Sequence, residues 1–313
     1  MFPIDAVIPW VDGNDPTLNA KRAKYVDQSQ VANEDVAGAT RYKSIGEIYY
    51  CVAAILKFAP WINRIYIVTD GQDPKINSDK VSIVDHSTIF KGHEDKLPIF
   101  NSNGIETFIW NIPELSEHFI YFNDDFFLVK DVQPEDFFRD GKVVCFGDWY
   151  STALYHFQRI VKPKKHGQAH VGFKDFMVNG LNLAGGGCRF IYLAHAPRPL
   201  LRSWFKEFTE SHPDAVETNL KTKFRDPSHW QTQEPFYIDM YRSGKCIITP
   251  QKKYGLYYKP HKNKYYTAKK LKSYDAAKDA FYLCANSLDC ARPEDLKAFL
   301  GWLESRLGPV ERP

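Results

Sequence analysis

The sequence holds no stretch approaching the roughly 20 consecutive apolar residues that a bilayer-spanning helix needs. Nor does Met1 open onto the charged start, apolar stretch and small-residue cleavage site of a secretory leader; a strand-like apolar run follows at once, and a cytoplasmic location is the expectation. The six cysteines, Cys51, Cys145, Cys188, Cys246, Cys284 and Cys290, include no CxxC pair, so they read as buried or free thiols rather than a zinc or redox motif. Charge of one sign is not in excess. Against 38 acidic residues stand 41 Lys and Arg, a net +3, which is too even to predict nucleic acid as the bulk partner. Gly185-Gly186-Gly187 lacks the spacing of a dinucleotide or P-loop site and reads as a flexible loop. There is no internal repeat and no low-complexity tract. What remains is a chain of 313 residues, 44% hydrophobic and 25% charged, able to bury a large core in one large domain or two small ones.

Apolar runs that end in polar clusters organise the first half. Asp5 to Val11 reads as a buried strand closed by Asp12-Gly13-Asn14-Asp15-Pro16. Ile48, Tyr49, Val52, Ile55 and Leu56 recur at helical spacing after Gly46, and Pro60 limits that helix. Strands follow at Arg64 to Thr69, closed by Asp70-Gly71-Gln72, at Val81 to Val84, and at Phe119 to Phe122. There Asn123-Asp124-Asp125 interrupts the run before Phe126 to Val129 resumes it. Strands alternating with helices predict an α/β fold with a mostly parallel sheet, whose ligands gather at the carboxyl edge. After about residue 150 the pattern loosens and looks more helical. Pro293 to Leu307 predicts an amphipathic helix docked on the core, with Leu296, Phe299, Leu300, Leu303 and Leu307 along one stripe.

Asn123-Asp124-Asp125 is the sharpest local signal. Two adjacent carboxylates between apolar runs repel one another and are partly desolvated, so they call for a cation or hydrogen-bond donors. Hard oxygen ligands of this kind suit magnesium or manganese shared with phosphates; a solvated turn is the alternative. Asp12, Asp15 and Asp70 also close strands, each a turn residue alone but together one acidic edge. His195, in Ala194-His195-Ala196-Pro197-Arg198-Pro199, is either a fixed general base for a hydroxyl or a structural histidine. Arg225 offers a planar grip on phosphate oxygens, or an ion pair with Asp226. Lys162, Lys164, Lys165, His166 and His170 form a basic cluster suited to a polyanionic acceptor or to a solvated loop.

In order along the chain, these segments resemble the Stealth family of sugar-phosphate transferases, which includes bacterial capsule polymerases and the N-acetylglucosamine-1-phosphotransferase of animals. The opening IDAVIPWVDGNDP is similar to the family's first block. Its second is matched from Arg41 through Gly46-Glu47-Ile48, Ala59-Pro60-Trp61, Ile65 to Gln72, Phe100-Asn101-Ser102-Asn103, Ile105-Glu106 and Phe119 to Phe127. The third resembles Trp149 to Arg225, and the short fourth Leu283-Cys284-Ala285-Asn286. Two positions depart: Ala53 stands where many members have Arg, and Ser287 where an Asp is common.

The resemblance implies a GT-A or Rossmann-like core, a nucleotide-sugar donor and a divalent metal, Mg2+ with Mn2+ as substitute, held by Asp124 and Asp125. It implies a catalytic set of Asp124, Asp125, His195 and Arg225. Around the donor it places Trp10, Asp12, Gly13, Asp15, Arg41, Asp70, Asn101, Ser102 and Glu106. The expectation is a nucleotide-sugar-binding core over residues 1–140, with an acceptor-side, catalytic and more helical portion over 141–313 packed on it. The expected reaction moves sugar-1-phosphate from a UDP-hexose or UDP-HexNAc onto an oligo- or polysaccharide acceptor and releases UMP. Peripheral association with membrane-bound capsule machinery at the inner face of the cell membrane goes with it. The alternatives are a GT-A glycosyltransferase that releases UDP, and a catalytically inactive nucleotide-sugar-binding protein.

Overall fold

The computed structural model of the chain describes residues 2–26, 44–161 and 172–312. Its strands are β1 (Ile4–Pro9), β2 (Ile65–Thr69), β3 (Val81–Asp85), β4 (His118–Tyr121), β5 (Phe126–Leu128), β6 (Phe138–Arg139), β7 (Lys142–Ser151), β8 (Arg189–Leu193), β9 (Arg198–Leu201), β10 (Cys246–Thr249), β11 (Gly255–Tyr258) and β12 (Tyr282–Ala285). The main helices are α1 (Pro16–Ala23), α2 (Glu47–Phe58), α3 (Ser102–Thr107), α4 (Thr152–Val161), α5 (Phe173–Leu183), α6 (Arg202–Ser211), α7 (Pro213–Leu220), α8 (Gln233–Arg242), α9 (Tyr266–Ala276) and α10 (Pro293–Leu307).

The central sheet has the order β3-β2-β1-β4-β9, with the first four strands parallel and β9 antiparallel at the edge. β1 is apolar and buried almost throughout, as a central parallel strand covered on both faces must be. Helix α2 covers part of the sheet with Ile48, Cys51, Val52 and Ile55, all nearly inaccessible to water. Its entry requires Gly46, which takes a left-handed φ of 93°. Because the chain moves from β1 outward to β2 and β3 and then returns to β4 on the other side, the strand order reverses beside β1. In open α/β sheets such a switch point, at the carboxyl ends of the strands, is where ligands bind.

Two smaller sheets complete the α/β architecture. One has the order β10-β7-β6, with β8 also pairing β7, and the other β11-β12-β5. The apolar run expected to resume after Asn123-Asp124-Asp125 is therefore a strand of a different sheet. The acidic turn is the joint at which the chain leaves β4 and enters β5, and Phe126 N–H closes it on Asn123 O at 3.0 Å. The second half is rich in helices, as expected, yet β7 to β12 also come from it. One apolar core runs from Ile4 to Leu303, so the two portions interlock. The glycine run closes α5 in left-handed conformation, Gly185 at φ 84° and Gly186 at 71°. Helix α10 docks on the core through Phe299 and Leu303. Among the described residues no helix is long and apolar enough to cross a membrane.

A buried carboxylate registers the sheet. Asp5, wholly inaccessible in β1, accepts from Asn63 Nδ2 at 2.9 Å and Arg64 N–H at 3.1 Å with one oxygen, and from Ser116 N–H at 2.7 Å with the other. These donors lead into β2 and β4, so one side chain ties both neighbours to the central strand. Asp5→Ala leaves buried donors unpaired, and urea unfolding should show a loss of about 2 to 4 kcal/mol. A loss under about 0.5 kcal/mol would remove Asp5 from this role.

Candidate functional site

The carboxyl ends of β1 to β4 bring the expected acidic residues to one edge. After β1, Trp10 is buried with its indole N–H unpaired. The loop beyond it is shaped by Gln72, which accepts from Asp12 N–H at 2.9 Å and donates to Asp12 O at 3.1 Å and Asp15 Oδ2 at 2.8 Å. Asp12 Oδ1 accepts from Asn14 N–H, and Gly13 O accepts from Asn19. Asp15 caps α1 through Thr17 N–H at 2.7 Å, so both its oxygens are spent on the loop, and these bonds lower its pKa. After β2, Asp70 Oδ1 pairs with Lys21 Nζ at 2.7 Å, while Oδ2 is buried without a partner. Nearby His86, which the sequence reading passed over, is buried with neither ring nitrogen paired, and desolvation pushes its pKa down to about 4.

Asn101 and Glu106, expected around the donor, are buried supports. Asn101 caps α3 by accepting from Gly104 N–H at 2.7 Å and donates to Thr222 O at 3.1 Å. Glu106 is 3% exposed. Its Oε2 accepts from Thr232 Oγ1 at 2.9 Å, Gln233 Nε2 at 2.8 Å and Gln231 Nε2 at 3.3 Å. Its Oε1 lies 2.9 Å from the Tyr121 hydroxyl, which is also 2.7 Å from Asn123 Oδ1. One buried carboxylate thus links the acidic turn to the segment that opens α8.

Asp124 and Asp125 keep part of their surface open but are surrounded by protein. Desolvation, then the charges of Asp125 and Glu47, hold Asp124 well above the usual carboxylate range. Desolvation raises Asp125 to about 7, although the Cys284 thiol 3.5 Å from Oδ2 opposes the rise. Asp125 Oδ1 is buried with no hydrogen-bond partner. Glu47, raised by its own burial, adds a third negative neighbour that composition alone did not mark. The fourth block lies against this turn: β12 pairs antiparallel with β5, and Ala285 N–H donates to Asp125 O. At the departing position, Ser287 is left-handed (φ 59°) and donates to Asn286 Oδ1 at 2.6 Å.

Opposite charges approach from the second half. His195 follows β8 and packs face to face on Phe173 at 5.2 Å, with Phe126 and Tyr257 at 6.5 and 5.9 Å. Desolvation, then the positive charges of Arg198 and Arg225, lowers its pKa to about 4, so the ring is neutral at physiological pH. Arg225 Nη2 donates to Ser102 Oγ at 3.3 Å. Asp226 turns to Ser228 instead, accepting from its N–H at 2.9 Å and its hydroxyl at 2.6 Å. Arg198, which no sequence motif marks, joins them. It is 5% exposed, held by Gln233 Oε1 at 2.7 Å, and its Nε is buried and unpaired. No carboxylate forms an ion pair with it among the described residues. A buried guanidinium without a counter-ion is costly, and an anionic ligand would relieve that cost. Its signal was faint, an arginine between two prolines. Arg41 and the Lys162 to His170 cluster lie outside the described residues.

The donor set fits a divalent cation. A buried, unpaired carboxylate oxygen beside a second carboxylate needs positive charge. Among the described residues no group of three or more His, Cys, Asp or Glu could form an all-protein cage. Magnesium is commonly held by one or two carboxylates, with water and substrate phosphate completing the shell.

Several known proteins are similar to this chain. Residues 2–30 match the Stealth protein conserved region 1, and residues 41–146 match conserved region 2. The chain is 33% identical over 288 residues to the receptor polysaccharide phosphotransferase WefC of Streptococcus oralis, covering 82% of this chain and 83% of that one. It is 32% identical over 259 residues to the capsular polysaccharide phosphotransferase WcwK of Streptococcus pneumoniae, covering 73% and 75%. Among solved structures, the bifunctional glycosyltransferase WbbM overlaps 96% of this chain and 51% of its own at 10% identity, with a TM-score of 0.48.

The raised carboxylates carry a stability consequence. Asp125 titrates at about 7 in the fold against 3.8 ordinarily, so between those values the folded state keeps a proton that the unfolded chain has lost. Stability therefore falls as pH rises through that window. In EDTA, Asp125→Asn should raise Tm at pH 8 by roughly 2 to 5 °C and leave Tm at pH 4 nearly unchanged. A Tm below wild type at pH 8 would contradict the electrostatic assignment.

Proposed function

The chain belongs to the Stealth family of polysaccharide phosphotransferases, and on that premise we propose that it moves sugar-1-phosphate from a UDP-sugar to a hydroxyl of a growing capsular or cell-surface polysaccharide, releasing UMP. The observation that carries this reading is the grouping of two crowded carboxylates with a histidine that packs on Phe126, the residue after them, and that burial, then two arginine charges, keeps neutral. Such a set suits phosphoryl transfer, where catalysis is mostly positioning and charge stabilisation.

The residues take the following roles. Trp10, Asp12, Gly13 and Asp70, at the ends of β1 and β2, receive the nucleotide, in a loop that Asp15 and Gln72 shape. Asp124 and Asp125 would hold Mg2+ or Mn2+, which when bound supplies positive charge to the phosphoryl oxygens. Arg225, steadied by Ser102, and Arg198, steadied by Gln233, grip the β-phosphate. His195 takes the proton of the acceptor hydroxyl as its oxygen bonds to the β-phosphorus. The bond from that phosphorus to the bridging oxygen breaks, and UMP leaves. The bond between the sugar's anomeric carbon and its oxygen stays whole.

A pKa of about 4 makes His195 a weak base in the free enzyme. Donor phosphate would offset the two arginine charges, which act after burial, and raise that pKa above its free value, so the base strengthens when its substrate is present.

Product analysis tests the reading. The spent nucleotide should be UMP, and phosphorus NMR should show a sugar-phosphate-sugar diester; UDP alone with no diester signal would leave an ordinary glycosyltransferase. His195→Ala should lower kcat by about two to four powers of ten with little change in donor affinity. Arg225→Lys should lose about tenfold or more, because an ammonium lacks the planar fork. Wild-type rates from both variants would discard the assigned roles.

A further inference from the structure

Between Lys252 and Lys272 the chain carries eight lysines and no acidic residue, against a nearly balanced whole. Lys259, Lys262, Lys264, Lys269 and Lys272 are all exposed. None of them forms an ion pair among the described residues. Tyr265 stands 68% exposed among them, with Lys264 Nζ 5.0 Å from its ring centre. Tyr265, Lys269 and Lys272 are spaced i, i+4 and i+7 at the start of α9, which puts them on one helix face.

The segment is continuous with the candidate site. In β11, Tyr257 lies 5.9 Å from the His195 ring, and its register partner Cys284 reaches Asp125. The next residues out of that strand lead directly to Lys259, Lys262 and Lys264. Lys262 is five residues beyond Tyr257, within about 18 Å even for extended chain. A polymer whose terminal hydroxyl sat at His195 would need only a few units to reach it.

We propose that this lysine and tyrosine surface binds the phosphate-bearing body of the glycan acceptor while its end is at His195, an inference that rests on the phosphotransfer reading. Lysines match phosphodiesters as mobile point charges, without demanding one register, and an exposed tyrosine ring offers a face on which a sugar packs. The composition favours a glycan over a lipid surface. The large apolar side chain exposed in this stretch is Tyr265, with no Trp, Phe, Leu or Ile beside it to enter the acyl region.

The test is affinity electrophoresis of the full chain through gels holding a phosphodiester-linked glycan, an uncharged dextran of similar length, or phosphatidylglycerol vesicles. Wild type should be retarded by the phosphoglycan only. A K259Q/K262Q/K264Q variant should lose about tenfold in affinity at low salt, and the difference should vanish near 1 M salt, where screening shortens to about 3 Å. Far-UV dichroism and UDP binding, expected unchanged, show that the variant folds. Equal retention of variant and wild type would overturn the proposal, as would retardation by the vesicles and not the glycan. No turnover is involved, so release of UDP in place of UMP, which would sink the phosphotransfer reading, is scored separately from failure of this surface.

Discussion

The hydrogen bonds gathered by Glu106 are the interaction on which the site depends. A carboxylate 3% exposed accepts from Thr232, Gln231 and Gln233 and shares the Tyr121 hydroxyl with Asn123. Tyr121 ends β4 and leads into the acidic turn, while Gln233 holds Arg198. Negative and positive halves of the site come from segments more than 70 residues apart in sequence, and this buried network fixes one against the other. Side chains satisfied in a low-dielectric interior hold geometry well, and a partly broken network of this kind is costly.

What the network holds in place is unbalanced charge. Asp124 is pushed toward protonation by burial, then by the charges of Asp125 and Glu47, and Asp125 by burial and by Glu47, while Arg198 lies buried without a carboxylate partner among the described residues. A bound divalent cation would relieve the first group, and a phosphate the second. In the proposed function, both stresses lie in one place because stability is given up for complementarity to a metal-bound phosphate ester. The proposed lysine and tyrosine surface beyond Tyr257 would extend the same complementarity to the acceptor.

The four parallel strands of the central sheet were legible because each is a short apolar run that ends in Asp or Asn, and Gly46 marked the entry to α2. The second half was less so: β8, β9, β10, β11 and β12 are four or five residues long and alternate with helices at no fixed spacing. Among site residues, the acidic turn stood out because two carboxylates interrupted an apolar run. Asp15, Asn101 and Glu106 show the limit of such reading, since residues that bind ligands also cap helices and satisfy buried donors, and only the fold separates the two uses. Arg198 and His86 left almost no trace, because burial, without a counter-ion for Arg198 and without a ring partner for His86, is a property of packing and not of local sequence.

In the proposed function, His195 and its two arginines form one electrostatic unit that donor phosphate completes. NMR titration of the His195 ring in isotopically labelled protein, with and without UDP and magnesium, tests it most directly. The expected result is a pKa of about 4 in the free protein and a higher pKa when the β-phosphate is bound. A pKa that stays near 4, or falls, with UDP and magnesium bound would contradict it.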